Sequence, residues 1–178
     1  MTEYRGYVQR YAMQFGAYMG AFWIAKFMLF PLGLTSPLLL LLFMACTLCV
    51  PFISYYFLMK FRDGVCGGCI SFSKAWIFNE FVYLYAAILT ALGHYVYFQF
   101  VDNGYILNTY ESVVSEFAKA DIAGTEAYVQ QIETALEVMR SLKPIEIAMQ
   151  LMSNNVMVGG LLGVPLALFA MRKNPRQP

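Results

Sequence analysis

Four long apolar stretches, at about residues 11–34, 37–59, 75–101 and 145–171, divide this chain of 178 residues. A hydrocarbon layer of ~30 Å takes about 20 helical residues at a rise of 1.5 Å each, and every stretch meets that length. Lipid offers no hydrogen-bond partners to backbone N–H and C=O groups, so segments of this kind satisfy them internally as α-helices. The expected fold is therefore all-α, a polytopic integral membrane protein with four transmembrane helices read as one domain over residues 1–178. Composition agrees, since 60% hydrophobic and 13% charged residues do not describe a soluble domain.

The charges are sorted between the gaps. Arg5 and Arg10, then Lys60, Arg62 and Lys74, then Arg172, Lys173 and Arg176 account for eight of the twelve Lys and Arg. Acidic residues gather instead in the segment between the third and fourth spans: Asp102, Glu111, Glu116, Asp121, Glu126, Glu133 and Glu137. Lys and Arg in short loops and near span ends favour the cytoplasmic side. Both termini and the Lys60–Lys74 loop are thus expected to be cytoplasmic, with the uncharged Thr35–Pro37 hairpin and the acidic segment outside. The basic patches read as topology determinants against anionic lipid, not as nucleic-acid sites. The first apolar stretch exceeds the 7–15 residues of a signal-peptide core and no A-x-A-like site follows it, so it is expected to remain as an anchor.

Within residues 102–143, Ile106, Tyr110, Val113, Val114 and Phe117 recur at helical spacing, as do Tyr128, Ile132, Ala135, Leu136 and Met139. Ala123-Gly124-Thr125 separates them. This predicts two short amphipathic helices forming an external acidic cap that folds back over the bundle. Pro31-Leu32-Gly33 reads as the break of the first hairpin, Pro37 fits the first turn of the second helix, and Pro51 and Pro165 predict kinks. Tyrosines near the span ends, with Tyr83 counted among them, suggest an interfacial aromatic belt.

Ionisable groups inside spans mark sites by default. Lys26 lies nine residues before Thr35 and His94 eight before Asp102, each about 12–13 Å below the outer boundary. Asn154 and Asn155 fall at much the same depth on the fourth span. Together they form a candidate polar pocket for an anionic headgroup, a polyprenyl phosphate or a small solute. The plainer reading is favoured, in which Lys26 snorkels while His94 and the asparagines bridge helices. Glu80 is a candidate intramembrane carboxylate on a stripe with Tyr83, Ala87, Thr90, Ala91 and His94, and Gln14 is its expected partner. Glu80 and His94 are about 21 Å apart along one helix, too far to act directly on one substrate.

Gly16 and Gly20 on the first span, and Gly159 and Gly163 on the fourth, have the spacing that lets helices approach closely. Packing within the chain is favoured over a homo-oligomer seam, though the pattern admits both. Cys66-Gly-Gly-Cys69 supplies only two of the four ligands a structural zinc wants, and its glycines read as a turn. Cys46 and Cys49 read as small packing residues. No catalytic, metal or cofactor motif occurs.

The run Phe61-Arg62-Asp63-Gly64-Val65-Cys66-Gly67-Gly68-Cys69-Ile70-Ser71-Phe72, together with Gly16-Ala17-Tyr18-Met19-Gly20 and Pro31-Leu32-Gly33, resembles an uncharacterised, domain-of-unknown-function family of four-span bacterial inner-membrane proteins, commonest in Bacteroidota-type bacteria. The resemblance covers nearly the whole chain. It implies location in the bacterial inner (plasma) membrane and brings no catalytic residues. It also implies a link to envelope biogenesis, because family genes are seen near polyprenyl-linked glycosyltransferase genes. The reading that follows is a non-enzymatic accessory or scaffold subunit in contact with the lipid bilayer and a membrane-protein partner such as a glycosyltransferase. The alternative is a small homodimeric transporter or lipid-binding protein using the outer-leaflet pocket.

Overall fold

The computed structural model describes residues 2–119 and 125–172, with the side chains of residues 2–5 left aside. Six helices follow in order: α1 (Thr2–Gly33), α2 (Pro37–Gly64), α3 (Phe72–Phe100), α4 (Tyr105–Lys119), α5 (Glu126–Ser141) and α6 (Pro144–Ala170). Four of them, α1, α2, α3 and α6, are long and apolar enough to cross a membrane. They coincide with the four predicted stretches, except that α1 begins well before its apolar part. The predicted break at Ala123-Gly124 lies outside the described residues.

The hairpin between α1 and α2 turns just ahead of Pro37, at the short link the sequence suggested, but Pro31-Leu32-Gly33 does not break the helix. Pro31 remains inside α1, because its fixed φ is helical and only one hydrogen bond is lost. The turn is made by Leu34–Ser36, where Ser36 N–H donates to the Gly33 carbonyl at 3.2 Å. Pro37 then opens α2 after an extended Ser36. Gly33 is required here: a Cβ at that position would lie 2.9 Å from the backbone of Leu40.

The chain divides into two compact units, one of Met1–Ala91 and Leu151–Pro178, the other of Leu92–Gln150. In the first, α3 is the most enclosed span. Of its apolar stretch 44% is buried, against 11% for α2, whose Leu38, Leu41, Leu48 and Phe52 are exposed as lipid-facing side chains would be. One core cluster joins Val8, Ala12, Leu58, Phe61, Ala75, Phe78 and Leu166. Phe61 stacks on Phe78 with ring centroids 4.0 Å apart, a close parallel contact worth about 0.5–1.5 kcal/mol beyond area burial. The second cluster joins Met19, Trp23, Val50, Tyr83, Ala86 and Ala87. Tyr83 is therefore a core residue, 1% exposed, and not part of the aromatic belt. It lies eleven residues into α3, too deep for the headgroup level.

At one end of this unit α2 leads into a glycine turn. Gly67 and Gly68 have φ of +64° and +82°, and Gly68 N–H donates to the Arg62 carbonyl at 3.0 Å. The turn reading of this pair holds, since side chains are strained in that region. Ile70 then pairs with Arg172 in an antiparallel bridge, N–H to carbonyl both ways at 3.0 and 3.1 Å. Arg62 Nη1 donates to the Ala170 carbonyl at 3.2 Å, satisfying an orphan acceptor at the end of α6. The loop before α3 and the end of α6 thus lie at the same side, as the charge pattern requires.

In the second unit, α4 and α5 are the two amphipathic helices expected from the spacing. Arg140 on α5 holds Glu111 at 2.6 Å and Asn108 at 3.1 Å on α4. Buried Asp102 starts α4 by accepting from Gly104 and Ile106 N–H at 3.1 and 3.2 Å. Glu146 does the same for α6, accepting from Lys143 N–H at 2.7 Å in half of a capping box.

Candidate functional site

A row of polar side chains crosses α3 inside the first unit. On α2, one turn past Pro51, Ser54 is 1% exposed and donates to the equally buried Asn79 of α3, with the Tyr83 phenol beside it. Asn79 Nδ2 reaches across to the Gly159 carbonyl of α6 at 3.3 Å. One helical step away, Trp76 Nε1 donates to the Gly160 carbonyl at 3.1 Å. Further along α3, Thr90 donates to Ala86 at 2.7 Å and approaches the Gly20 carbonyl of α1 at 3.5 Å. Three helices are thus clipped to α3 by hydrogen bonds in a medium that supplies no competing water.

The glycines make this possible. Gly159 lies directly on the Tyr83 ring, where no Cβ fits. A Cβ at Gly163 would come within 3.0 Å of Asn79 Nδ2 and Trp76, and one at Gly16 within 2.6 Å of Tyr85 Cβ and 2.9 Å of the Val82 carbonyl. Gly20 faces Ala86 and Leu89 at about the same closeness. Both small-residue motifs face α3 of the same chain, and at these four positions it is α3 that meets them.

Glu80 sits at the edge of this row. It is half-buried, and its Oε1 lies where a Cβ on Gly160 would approach to 2.7 Å. That oxygen is buried with no hydrogen-bond partner among the described residues. Gln14, the expected partner, is instead exposed and donates to Tyr18 one turn along its own helix at 3.3 Å. Proximity in depth did not make the pair, because Gln14 lies on the exposed face of α1.

The predicted outer-leaflet residues are placed as follows. Lys26 on α1 is half-buried toward α2, its Nζ 5.5 Å from the Phe43 ring centroid, a cation–π contact. Asn154 is exposed and Asn155 half-buried on α6. His94 is buried on α3, within the second unit. The stripe that carries it is an inward face: Tyr83, Ala87 and Thr90 are likewise buried. Cys66 and Cys69 are partly buried in the glycine turn and not disulfide-bonded. Among the described residues no group of three or more His, Cys, Asp or Glu is placed to hold a metal.

Sequence reasoning missed Ser54, Trp76 and Asn79. The available signal was an asparagine beside Glu80 in an apolar run and a serine at comparable distance from the same end of α2. Neither is ionisable, so neither stood out.

No curated protein and no solved structure matches this sequence. A family profile does, over residues 14–172. The chain, a helical protein with four spans long and apolar enough for a membrane, belongs to the DUF4199 family, described as proteins of unknown function.

Proposed function

We propose that this protein is a non-enzymatic accessory subunit of the bacterial inner membrane, working in envelope biogenesis and joined to its partner within the bilayer at Glu80. The single observation that carries the reading is a half-exposed carboxylate at the α3–α6 seam whose inner oxygen, Oε1, has no hydrogen-bond partner among the described residues. The other polar groups of that seam, Ser54, Asn79 and Trp76, are used in holding helices together. A carboxyl beside hydrocarbon lacks the donors that offset its loss of water. A basic or amide side chain on a neighbouring protein's span supplies them to the exposed part of the carboxyl group. The envelope assignment and the cytoplasmic placement of both termini rest on the family resemblance and the charge pattern.

The test places a photo-crosslinking residue at Leu161, an exposed α6 position next to Gly160, in native membranes. The expected result is one discrete protein adduct, carrying a polar or basic residue within a span, that is lost in Glu80→Gln. Adducts with lipid alone, or a protein adduct indifferent to Glu80→Gln, would overturn the reading.

A further inference from the structure

The α4–α5 hairpin shows more apolar surface than it covers. Of its apolar stripes only Ile106, Val114 and Leu136 are buried, while Tyr110, Val113 and Phe117 on α4 and Tyr128, Ile132 and Met139 on α5 are exposed, several by half or more. These exposed residues lie within about 60° of one another on α4 and about 40° on α5, at 100° per residue. The opposite faces are polar, with Ser112 and Glu116 on α4 and Glu126, Glu133 and Glu137 on α5. A contiguous exposed apolar face of this kind marks an interaction surface.

We propose that this face lies in the headgroup–acyl boundary of the membrane, so that α4 and α5 form an interfacial hairpin. Continuity with the lipid-facing spans identifies the occupant. α4 begins five residues after α3 ends, and α6 begins three residues after α5 ends. Neither connection is loose. Asp102 fixes the first by accepting from Gly104 and Ile106 N–H, and Glu146 fixes the second through Lys143 N–H. The N-terminus of α4 and the C-terminus of α5 are thus both tied to span ends at the interface. Arg140, bonded to Glu111 and Asn108, keeps the two helices side by side. Interfacial helices bury their apolar face about 5–10 Å below the headgroups, a depth these Tyr, Phe, Val, Ile and Met side chains suit. The two helices carry five glutamates against Lys119 and Arg140, a balance that gives no attraction to anionic lipid and suits a zwitterionic surface. The inference is independent of Glu80 and of any protein partner.

The test uses the full chain in phosphatidylcholine nanodiscs, with Cys46, Cys49, Cys66 and Cys69 replaced by serine. Nitroxide labels go singly at Val113, Phe117 and Ile132, and as controls at Ser112 and Glu137. The proposal expects labels at the first three to be several-fold more accessible to oxygen relative to a water-soluble nickel chelate than the controls. Equal access of nickel to both sets would show a face open to water and overturn it. Shielding of the first three from both reagents would show a protein-covered face and overturn it as well. The direct spectrum of each label reports folding, because only labels on a folded helix alternate in this way along one element.

Discussion

Asn79 joins three helices through one side chain: it accepts from Ser54 of α2 and donates to the Gly159 carbonyl of α6. Interhelical hydrogen bonds in membranes average about 0.6 kcal/mol and reach about 1.7. Asn79→Leu, which removes both, is expected to cost ~1–2 kcal/mol on that scale. In a double-mutant cycle, Ser54→Ala should cost little once Asn79 is gone. Unfolding in mixed micelles with increasing SDS measures both, and full additivity of the two substitutions would refute the coupling.

Neighbouring glycines on α6 should differ in their tolerance of a methyl group. At Gly159 the obstacle is the fully buried Tyr83 ring, whereas at Gly160 it is the tip of the flexible Glu80 side chain. Gly159→Ala is expected to destabilise by about 1–3 kcal/mol, the usual cost of overpacking, and Gly160→Ala by clearly less. Thermal denaturation followed by size-exclusion chromatography in one detergent ranks them. The reverse order would mean that Tyr83 moves more freely than its burial implies.

Lys26 is held over the Phe43 ring, a contact of about 0.5–2 kcal/mol depending on desolvation. If its role is structural, Lys26→Met should leave stability within about 1 kcal/mol of the parent, because the methionine packs the same ring without a charge to desolvate. Lys26→Ala combined with His94→Ala should likewise leave growth complementation intact. Loss of complementation from that pair, with the protein still present at normal level in the membrane, would favour the outer-leaflet pocket over a scaffold.

Arg140 ties α5 to α4, yet both partners are well exposed, with 56% of its side chain and 43% of that of Glu111 accessible. Exposed ion pairs contribute about 0–1 kcal/mol. Arg140→Ala should therefore leave the melting temperature nearly unchanged while speeding amide exchange in Glu126–Ser141. Hydrogen–deuterium exchange resolved by peptide distinguishes this local loosening from global unfolding.

Ile70 and Arg172 exchange two backbone hydrogen bonds, so residues beside them share one side of the membrane. A cysteine at Met171 and the native Cys69 should react together with an impermeant maleimide, from inverted vesicles and not from intact cells. A cysteine at Tyr128 should show the opposite pattern. Labelling of Met171→Cys and Tyr128→Cys from one side would remove the four-span topology.

The spans were readable because lipid imposes a single rule on every backbone group, and apolar length is enough to detect it. The glycine motifs were readable for a related reason, since close approach leaves a four-residue signature; which helix they approach was not, because Gly16 and Gly163 say nothing about Val82 or Trp76. The polar row was the least visible. Its members are ordinary residues on three separate helices, and only their rotation about the helix axes brings Ser54, Asn79 and Gly159 together. The same rotation separated Gln14 from Glu80, which depth alone had paired.

That α3 bears the contact surfaces for both glycine helices has a consequence for biogenesis. While the ribosome is still making α4 and α5, the α1–α2 hairpin can already settle on α3, but Trp76 and Asn79 face the bilayer without the carbonyls of Gly160 and Gly159. The nascent chain is then a three-span intermediate with an open polar flank. Closing it falls to the last span to leave the insertion machinery, and a chain truncated ahead of α6 presents that flank to the cell's membrane proteases.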